Sequence, residues 1–266
     1  MNPMQAPKPI RMLLQDAVIE QSWVRDDGYG STWRVARPDG ELFYLKVDRN
    51  LRLELDRLSW LVGRLSVPPV IAWSEEPGSD GWLVTKAIPG APASSLAADA
   101  GADWLIDLLA DALRLVHSLP VEECPFDTTT ERLIVTAEHR VRRCSVERVW
   151  DRDRRAWLSA SAAFEELMAR RPESSGPVVV HGDYCLPNVL VADRQVSGYL
   201  DVGSLGRGDP CIDLAACEYS GRRNLGKQWD GQRFFRRYGL SPDPTSLRWF
   251  MLLSELSLPE TRPDSA

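Results

Sequence analysis

Cysteine is sparse and wrongly spaced for the roles that would need it. Cys124, Cys144, Cys185, Cys211 and Cys217 are odd in number and nowhere form a C-x-x-C pair. A disulfide framework and a zinc site are thereby excluded as organising devices, which leaves buried or idle thiols. Long apolar runs are missing as well. No stretch approaches the roughly 18 to 20 residues of a membrane span, and Met1 to Gln15 lacks the continuous apolar core of a signal peptide, so a cytoplasmic protein with no membrane partner is expected. Positive charge is not in excess: 32 Lys and Arg stand against 38 Asp and Glu, a net charge of -6. Nucleic-acid binders carry a basic face, so none is expected as a partner, and the balance suits a protein that receives cationic ligands. No internal repeat or low-complexity segment is present. What remains is 266 residues with 44% hydrophobic content, enough to bury a sizeable core as one domain or two lobes.

The chain is organised around Val178-Val-Val-His181-Gly-Asp183-Tyr-Cys-Leu-Pro-Asn188-Val-Leu-Val191, followed by Gly198-Tyr-Leu-Asp201-Val-Gly203. Two Val-rich runs flank a polar loop, and the second turns at Ala192 to Gln195 into a further strand ending on Asp201. The loop has the form H-x-D-x-x-x-x-N, and Asp201 stands in Asp-Val-Gly, the place of the kinase Asp-Phe-Gly. Phosphoryl transfer relies mainly on positioning and charge. Asp183 is expected to orient the acceptor hydroxyl and take its proton, while Asn188 and Asp201 offer hard oxygen ligands to magnesium. A surface hairpin with ordinary turn residues is the plainer alternative; the full spacing between two apolar strands argues against it.

These residues resemble the aminoglycoside phosphotransferases, antibiotic kinases that share the protein-kinase fold. Their catalytic loop is His-Gly-Asp followed by Asn, as His181-Gly182-Asp183 and Asn188 stand here. Gly198-Tyr-Leu-Asp-Val-Gly, Gly206-Arg-Gly-Asp209 and Ile212-Asp213-Leu214-Ala215 are similar to the segment that follows in the 3'-phosphotransferase branch. The resemblance runs from about Trp23 to Glu255.

In the first third, Ser22-Trp-Val and Thr32-Trp-Arg-Val-Ala read as a hairpin around Asp26-Asp-Gly28-Tyr-Gly30-Ser31. Gly28 and Gly30 have G-x-G spacing, but Trp33 takes the third glycine position of a phosphate-covering loop. The resemblance implies that Ser31 meets the phosphates there. Lys46 is embedded in the strand Leu42-Phe-Tyr44-Leu-Lys46-Val. In the helix that follows, Leu51, Leu58 and Leu61 form a stripe that puts Glu54 on or beside the buried face. A buried carboxylate needs a partner, and Lys46 is the natural one, giving the pair with which kinases hold the α- and β-phosphates. The resemblance further implies adenine stacking on Tyr44, adenine hydrogen bonds to the Thr85 carbonyl and the Ala87 N–H, and Val84 lining the pocket behind.

After Ile88-Pro-Gly the pattern turns helical. A strong amphipathic helix runs from Asp103 to His117, and His117 is read as structural. Glu131 to Arg171 reads as mostly helical, with seven arginines between Arg140 and Arg155 as a solvated helix face. The family carries an acidic, amine-attracting loop in this region, for which Asp151 and Asp153 are the nearest matches. The family arginine after Asp-x-Gly is Ser204 here, with Arg207 three residues on. Asp209 and Asp213 are read as structural acids holding loop N–H groups. Of the family's two C-terminal acids only Glu255 is kept, and the tail continues through Pro259 to Ala266.

The expected fold is α+β and bilobal, protein-kinase-like, with a β-rich nucleotide-binding N-lobe over 1–87 and a helical C-lobe over 88–266. The expected activity is ATP- and magnesium-dependent O-phosphorylation of an aminoglycoside hydroxyl of 3'-type by a monomer, conferring resistance. Asp183 is the base, Ser31, Tyr44, Lys46, Glu54, Thr85 and Ala87 meet the nucleotide, Asn188 and Asp201 the metal, and Asp151, Asp153 and Glu255 the drug. Two alternatives stay open: a kinase of another small hydroxyl compound, such as a macrolide or metabolite, and a retired nucleotide-binding module, against which the retained base and metal acid speak.

Overall fold

A computed structural model describes residues 5–24, 30–75, 80–96 and 101–257. Gly28 and the tail from Pro259 to Ala266 lie outside the described residues. The chain forms two compact units, one of residues 1–90 and 190–203, the other of 91–189 and 204–266. In the first unit α1 (Lys8–Leu13) precedes β1 (Val18–Val24), β2 (Ser31–Ala36), β3 (Leu42–Asp48), α2 (Leu51–Leu61), β4 (Val70–Ser74) and β5 (Gly81–Lys86). The strands make one sheet in the order β1-β2-β3-β5-β4, every pair antiparallel.

Side chains alternate across a strand, so each strand splits its residues between two faces. Trp33, Val35, Phe43, Leu45, Val47, Trp82 and Val84 collect on one face, where Ala6 and Ile10 complete a core. Burial of each large apolar side chain there contributes roughly 1.5–3 kcal/mol. The other face presents Thr32 opposite Lys46 and Arg34 opposite Tyr44. Helix α2 follows the expected stripe, burying Leu51, Leu58 and Leu61.

The second unit opens with β6 (Ala91–Pro92) and continues through α3 (Ala102–His117), α4 (Thr130–Arg142), β7 (Arg148–Asp151), β8 (Ala156–Ser159), α5 (Ala160–Ala169) and β9 (Val178–Val180). The chain then re-enters the first unit in the hairpin β10 (Val189–Ala192) and β11 (Gln195–Tyr199). Its two-residue turn has Asp193 at φ 50° and Arg194 at φ 60°, the doubly left-handed geometry that matches strand twist. Tyr199 N–H donates to Ser66 O at 2.9 Å, tying the hairpin to this unit. Strand β12 (Gly206–Gly208), α6 (Cys211–Leu225), α7 (Gly231–Tyr238) and α8 (Pro244–Ser257) complete the second unit. The β-rich first unit and mainly helical second unit match the α+β class expected from the sequence. No helix among the described residues is long and apolar enough to cross a membrane.

One segment departs from expectation. The arginine-rich stretch within 131–171 is not one helical face, because β7 and β8 form an antiparallel hairpin between α4 and α5. Val149 opposes Leu158, and Trp150 opposes Trp157 with ring centroids 5.5 Å apart, edge to face. Four-residue strands, Arg148–Asp151 and Ala156–Ser159, joined by the charged turn 152–155, give too short a period-2 signal to outweigh the surrounding helical pattern.

Candidate active site

Strand β9 delivers the loop His181–Asn188, and a buried acid on α6 fixes it. Asp213 is fully buried; the His181 N–H donates to it at 2.6 Å and the Gly182 N–H at 2.8 Å. His117 Nε2 lies 2.9 Å from the same carboxylate and its Nδ1 2.7 Å from the Tyr238 hydroxyl, so His117 is structural, as read from the sequence. Asp209 likewise accepts from the N–H groups of Ser175, at 2.8 Å, and Cys211, at 2.9 Å. Gly182 has φ 84°, and a Cβ there would collide with the Ser204 carbonyl, so the position requires glycine.

Within the loop the Asp183 carboxylate is held on both oxygens. The Asn188 amide donates to Asp183 Oδ2 and to the Asp183 carbonyl, both at 3.0 Å, and the Cys185 thiol donates to Oδ1 at 3.1 Å. Tyr184, fully buried, anchors the loop by donating to Leu109 O at 2.9 Å. Burial first, and then the Asp183 charge, pushes the Cys185 thiol well up, which makes it a neutral donor and not a nucleophile. Because the Asn188 amide nitrogen is spent on Asp183, its carbonyl oxygen is the end left for a hard cation.

In the first unit, Lys46 Nζ donates to Glu54 Oε2 at 2.6 Å and to Asp201 Oδ1 at 2.9 Å. The predicted Lys46–Glu54 pair is therefore present, and Asp201 joins it. Burial works against the ammonium, but Asp201 and then Glu54 outweigh it and raise the Lys46 pKa. For Glu54 burial dominates and pushes the carboxyl up, against the pull of Lys46. Asp201 adopts φ 52°, and a Cβ at Gly203 would lie 3.7 Å from the Glu54 Cβ, so the Asp-Val-Gly turn runs close over α2. Asp201 in the first unit and Asn188 in the second each offer a hard oxygen of the kind magnesium takes beside a nucleotide's phosphates.

The nucleotide residues read from the sequence divide between the two faces of the sheet. Ser31 is 5% exposed and shares the core face with Trp33 and Val35, whereas Thr32 points its hydroxyl to the Lys46 side. The Ala87 N–H closes the ladder onto Leu42 O at 2.9 Å, so it is not open to a base. Val84 belongs to the apolar core. Tyr44 lies on the Lys46 side and is half-buried, opposite the buried Thr85.

The second unit also holds a cavity of about 910 Å³ walled by the β7–β8 turn, α6 and α8. All three acids assigned to the drug lie in this region, in different states. Asp151 is fully buried and accepts from Arg248 Nη2 at 2.6 Å and from the N–H groups of Asp153 and Arg154, each at 3.1 Å. Burial opposes its charge, but these donors hold its carboxyl below the usual range. Glu255 takes both Nε (2.8 Å) and Nη2 of Arg152. Burial pushes Glu255 up while Arg152 pulls it down. Asp153 lines the cavity with an exposed side chain. Arg152 and Tyr219 were not singled out from the sequence, because they meet only when the hairpin packs on α6; the guanidinium carbon lies 4.0 Å from the centre of the Tyr219 ring.

A model described as the phosphotransferase enzyme family matches residues 16–250. The streptomycin 3''-kinase of Streptomyces griseus is 35% identical over 225 residues, 78% of this chain and 80% of that protein. An aminoglycoside 3'-phosphotransferase of Streptomyces ribosidificus is 37% identical over 218 residues, covering 76% of this chain and 79% of that protein. Among solved structures, an aminoglycoside-3'-phosphotransferase of type VIII aligns with a TM-score of 0.81 at 27% identity, over 96% of this chain and 98% of that one. The aminoglycoside phosphotransferase APH(3'')-Id from Streptomyces rimosus, in complex with ADP and streptomycin, aligns with a TM-score of 0.76 at 28% identity, over 97% and 100%. Since the family match spans Lys46, the Asp183 loop and Asp201, this chain belongs to the phosphotransferase enzyme family, among the aminoglycoside phosphotransferases.

Proposed function

We propose that this protein transfers the γ-phosphoryl group of ATP to a hydroxyl of an aminoglycoside antibiotic and so confers resistance to it. The observation that carries the reading is the Asp183 carboxylate, fixed on one oxygen by Asn188 and on the other by the Cys185 thiol. A carboxylate so held can orient an acceptor hydroxyl and take its proton as the O–P bond forms. Lys46, steered by Glu54, holds the α- and β-phosphates, and Thr32 on the same strand face supplies a hydroxyl where Ser31 cannot. Tyr44 offers the adenine a stacking surface beside Thr85. Asn188 and Asp201 hold magnesium, which when bound neutralises charge on the phosphate oxygens. Relatives named for streptomycin and for aminoglycosides support the acceptor class. Asp153 is the cavity acid open to a drug amine. A cytoplasmic protein follows from this reading, since ATP is found there.

Asp183→Asn should retain nucleotide binding by calorimetry yet lose turnover by roughly 10² to 10⁴, the scale of a general base. Near-normal turnover in that variant would remove Asp183 from the role.

A further inference from the structure

We propose that Glu255 and the ring of Tyr219 form a seat for a substrate guanidinium, which the chain's own Arg152 fills until a guanidino-bearing aminoglycoside displaces it. This rests on the aminoglycoside reading and narrows its substrate class. The seat has the chemistry of a guanidinium site. Two N–H groups of Arg152 converge on one Glu255 oxygen while the guanidinium carbon lies over the Tyr219 ring, 4.0 Å from its centre. A planar cation satisfies both contacts at once; a tetrahedral ammonium has no face to stack and no fork to present. Both side chains of the ion pair are largely withdrawn from solvent, at 16% and 15% exposure.

The way the cation is mounted distinguishes this pair from its neighbours. Asp151 and Glu218, the buried acids of the cavity wall, are held by Arg248 of α8 and Arg222 of α6, both carried on helices. Arg152 instead sits on the turn joining β7 to β8, beside the exposed residues Asp153, Arg154 and Arg155. A turn can swing its side chain to water at low cost, provided another cation meets the buried carboxylate. Arg152 and Tyr219 both line the 910 Å³ cavity, so a cation arriving through that cavity meets the Tyr219 ring and the Arg152 group that holds Glu255. Arg152 also acts electrostatically on the Cys185 thiol, the donor to Asp183, which puts the seat in the neighbourhood of the base. Arg152 is then an internal competitor: the substrate meets a seat open only part of the time, and its apparent affinity falls by that fraction.

The test uses the full chain, with Arg152→Ala and Arg152→Lys. If the seat is open about a tenth of the time in the wild type, Arg152→Ala lowers KM for streptomycin, which bears guanidino groups, roughly tenfold. KM for an aminoglycoside bearing only amines should move much less. Arg152→Lys keeps a cation on Glu255 without the planar group and should give an intermediate fall. Independently of turnover, millimolar methylguanidinium should raise the Tm of Arg152→Ala and leave the wild type unchanged. Methylguanidinium without effect on either variant, or a streptomycin KM that rises in both, would overturn the proposal and make the pair structural. Absence of turnover with every aminoglycoside would count against the activity instead, and the methylguanidinium measurement would still decide the seat.

Discussion

Asp213 sits in the first turn of α6, out of solvent, and accepts from two N–H groups of the loop that carries Asp183. Asp213→Ala leaves those donors and His117 unmet at a buried site. We expect a loss of roughly 3 to 5 kcal/mol in urea unfolding, the scale for breaking a buried charged network. In whatever folds, kcat should fall more than KM, because the loop loses its position while the cavity persists. A loss below about 1 kcal/mol would mean that water replaces the carboxylate. Single residues were legible here to the extent that their role is local. The spacing of Asp183 and Asn188 is a property of one loop, and the Lys46–Glu54 pair follows from a helical stripe eight residues away. The face of Ser31 and the partner of the Ala87 N–H were not legible, because a strand position changes face with a shift of one residue, and only the ladder with β3 puts Ser31 on the core side and the Ala87 N–H on Leu42 O.

Among elements, the β7–β8 hairpin was the least readable. Arginines that suggested a solvated helix are split between the end of α4 and a strand turn, where Arg152 and Arg154 pair with Glu255 and Glu166. Trp150→Ala should remove the edge-to-face contact with Trp157, costing about 0.5–1.5 kcal/mol beyond the area lost. Both rings line the cavity, so the drug KM should rise while the ATP KM stays put; equal movement of both constants in steady-state kinetics would contradict this. Helix α7 has a simpler handle. Asp230 accepts from the Arg233 N–H at 2.9 Å as its N-cap, and Asp230→Ala should cost about 1 kcal/mol in stability. Helix α3 was readable because its apolar stripe recurs every turn. That 190–203 packs with the first unit was not, since it depends on contacts such as the Ser66 hydroxyl donating to Ser197 O across 131 residues.

For the whole molecule, the carboxylates set the response to acid. Asp127, Asp151, Glu166 and Asp243 all have lowered pKa values: Thr129 donors act on Asp127, Arg248 on Glu166 and Ser246 on Asp243, while Asp151 overcomes its burial through Arg248 and the Arg154 N–H. A lowered folded pKa contributes stability that is full above the unfolded value, near pH 4, and is lost as pH falls through the folded value. Glu54 and Glu255, raised by burial, work in the opposite sense, but they are outnumbered. Stability in urea should therefore decline from about pH 5 to pH 3; a flat profile there would contradict the pairing described. The central claim is the transfer of a phosphoryl group to an aminoglycoside with Asp183 as base, and the mass of the drug after incubation with ATP, magnesium and enzyme tests it most directly. The account predicts that an aminoglycoside gains one phosphoryl group with the wild type and almost none with Asp183→Asn over the same time. If no aminoglycoside gains that mass although the wild type is folded and binds ATP, or if Asp183→Asn phosphorylates as fast as the wild type, the account is contradicted.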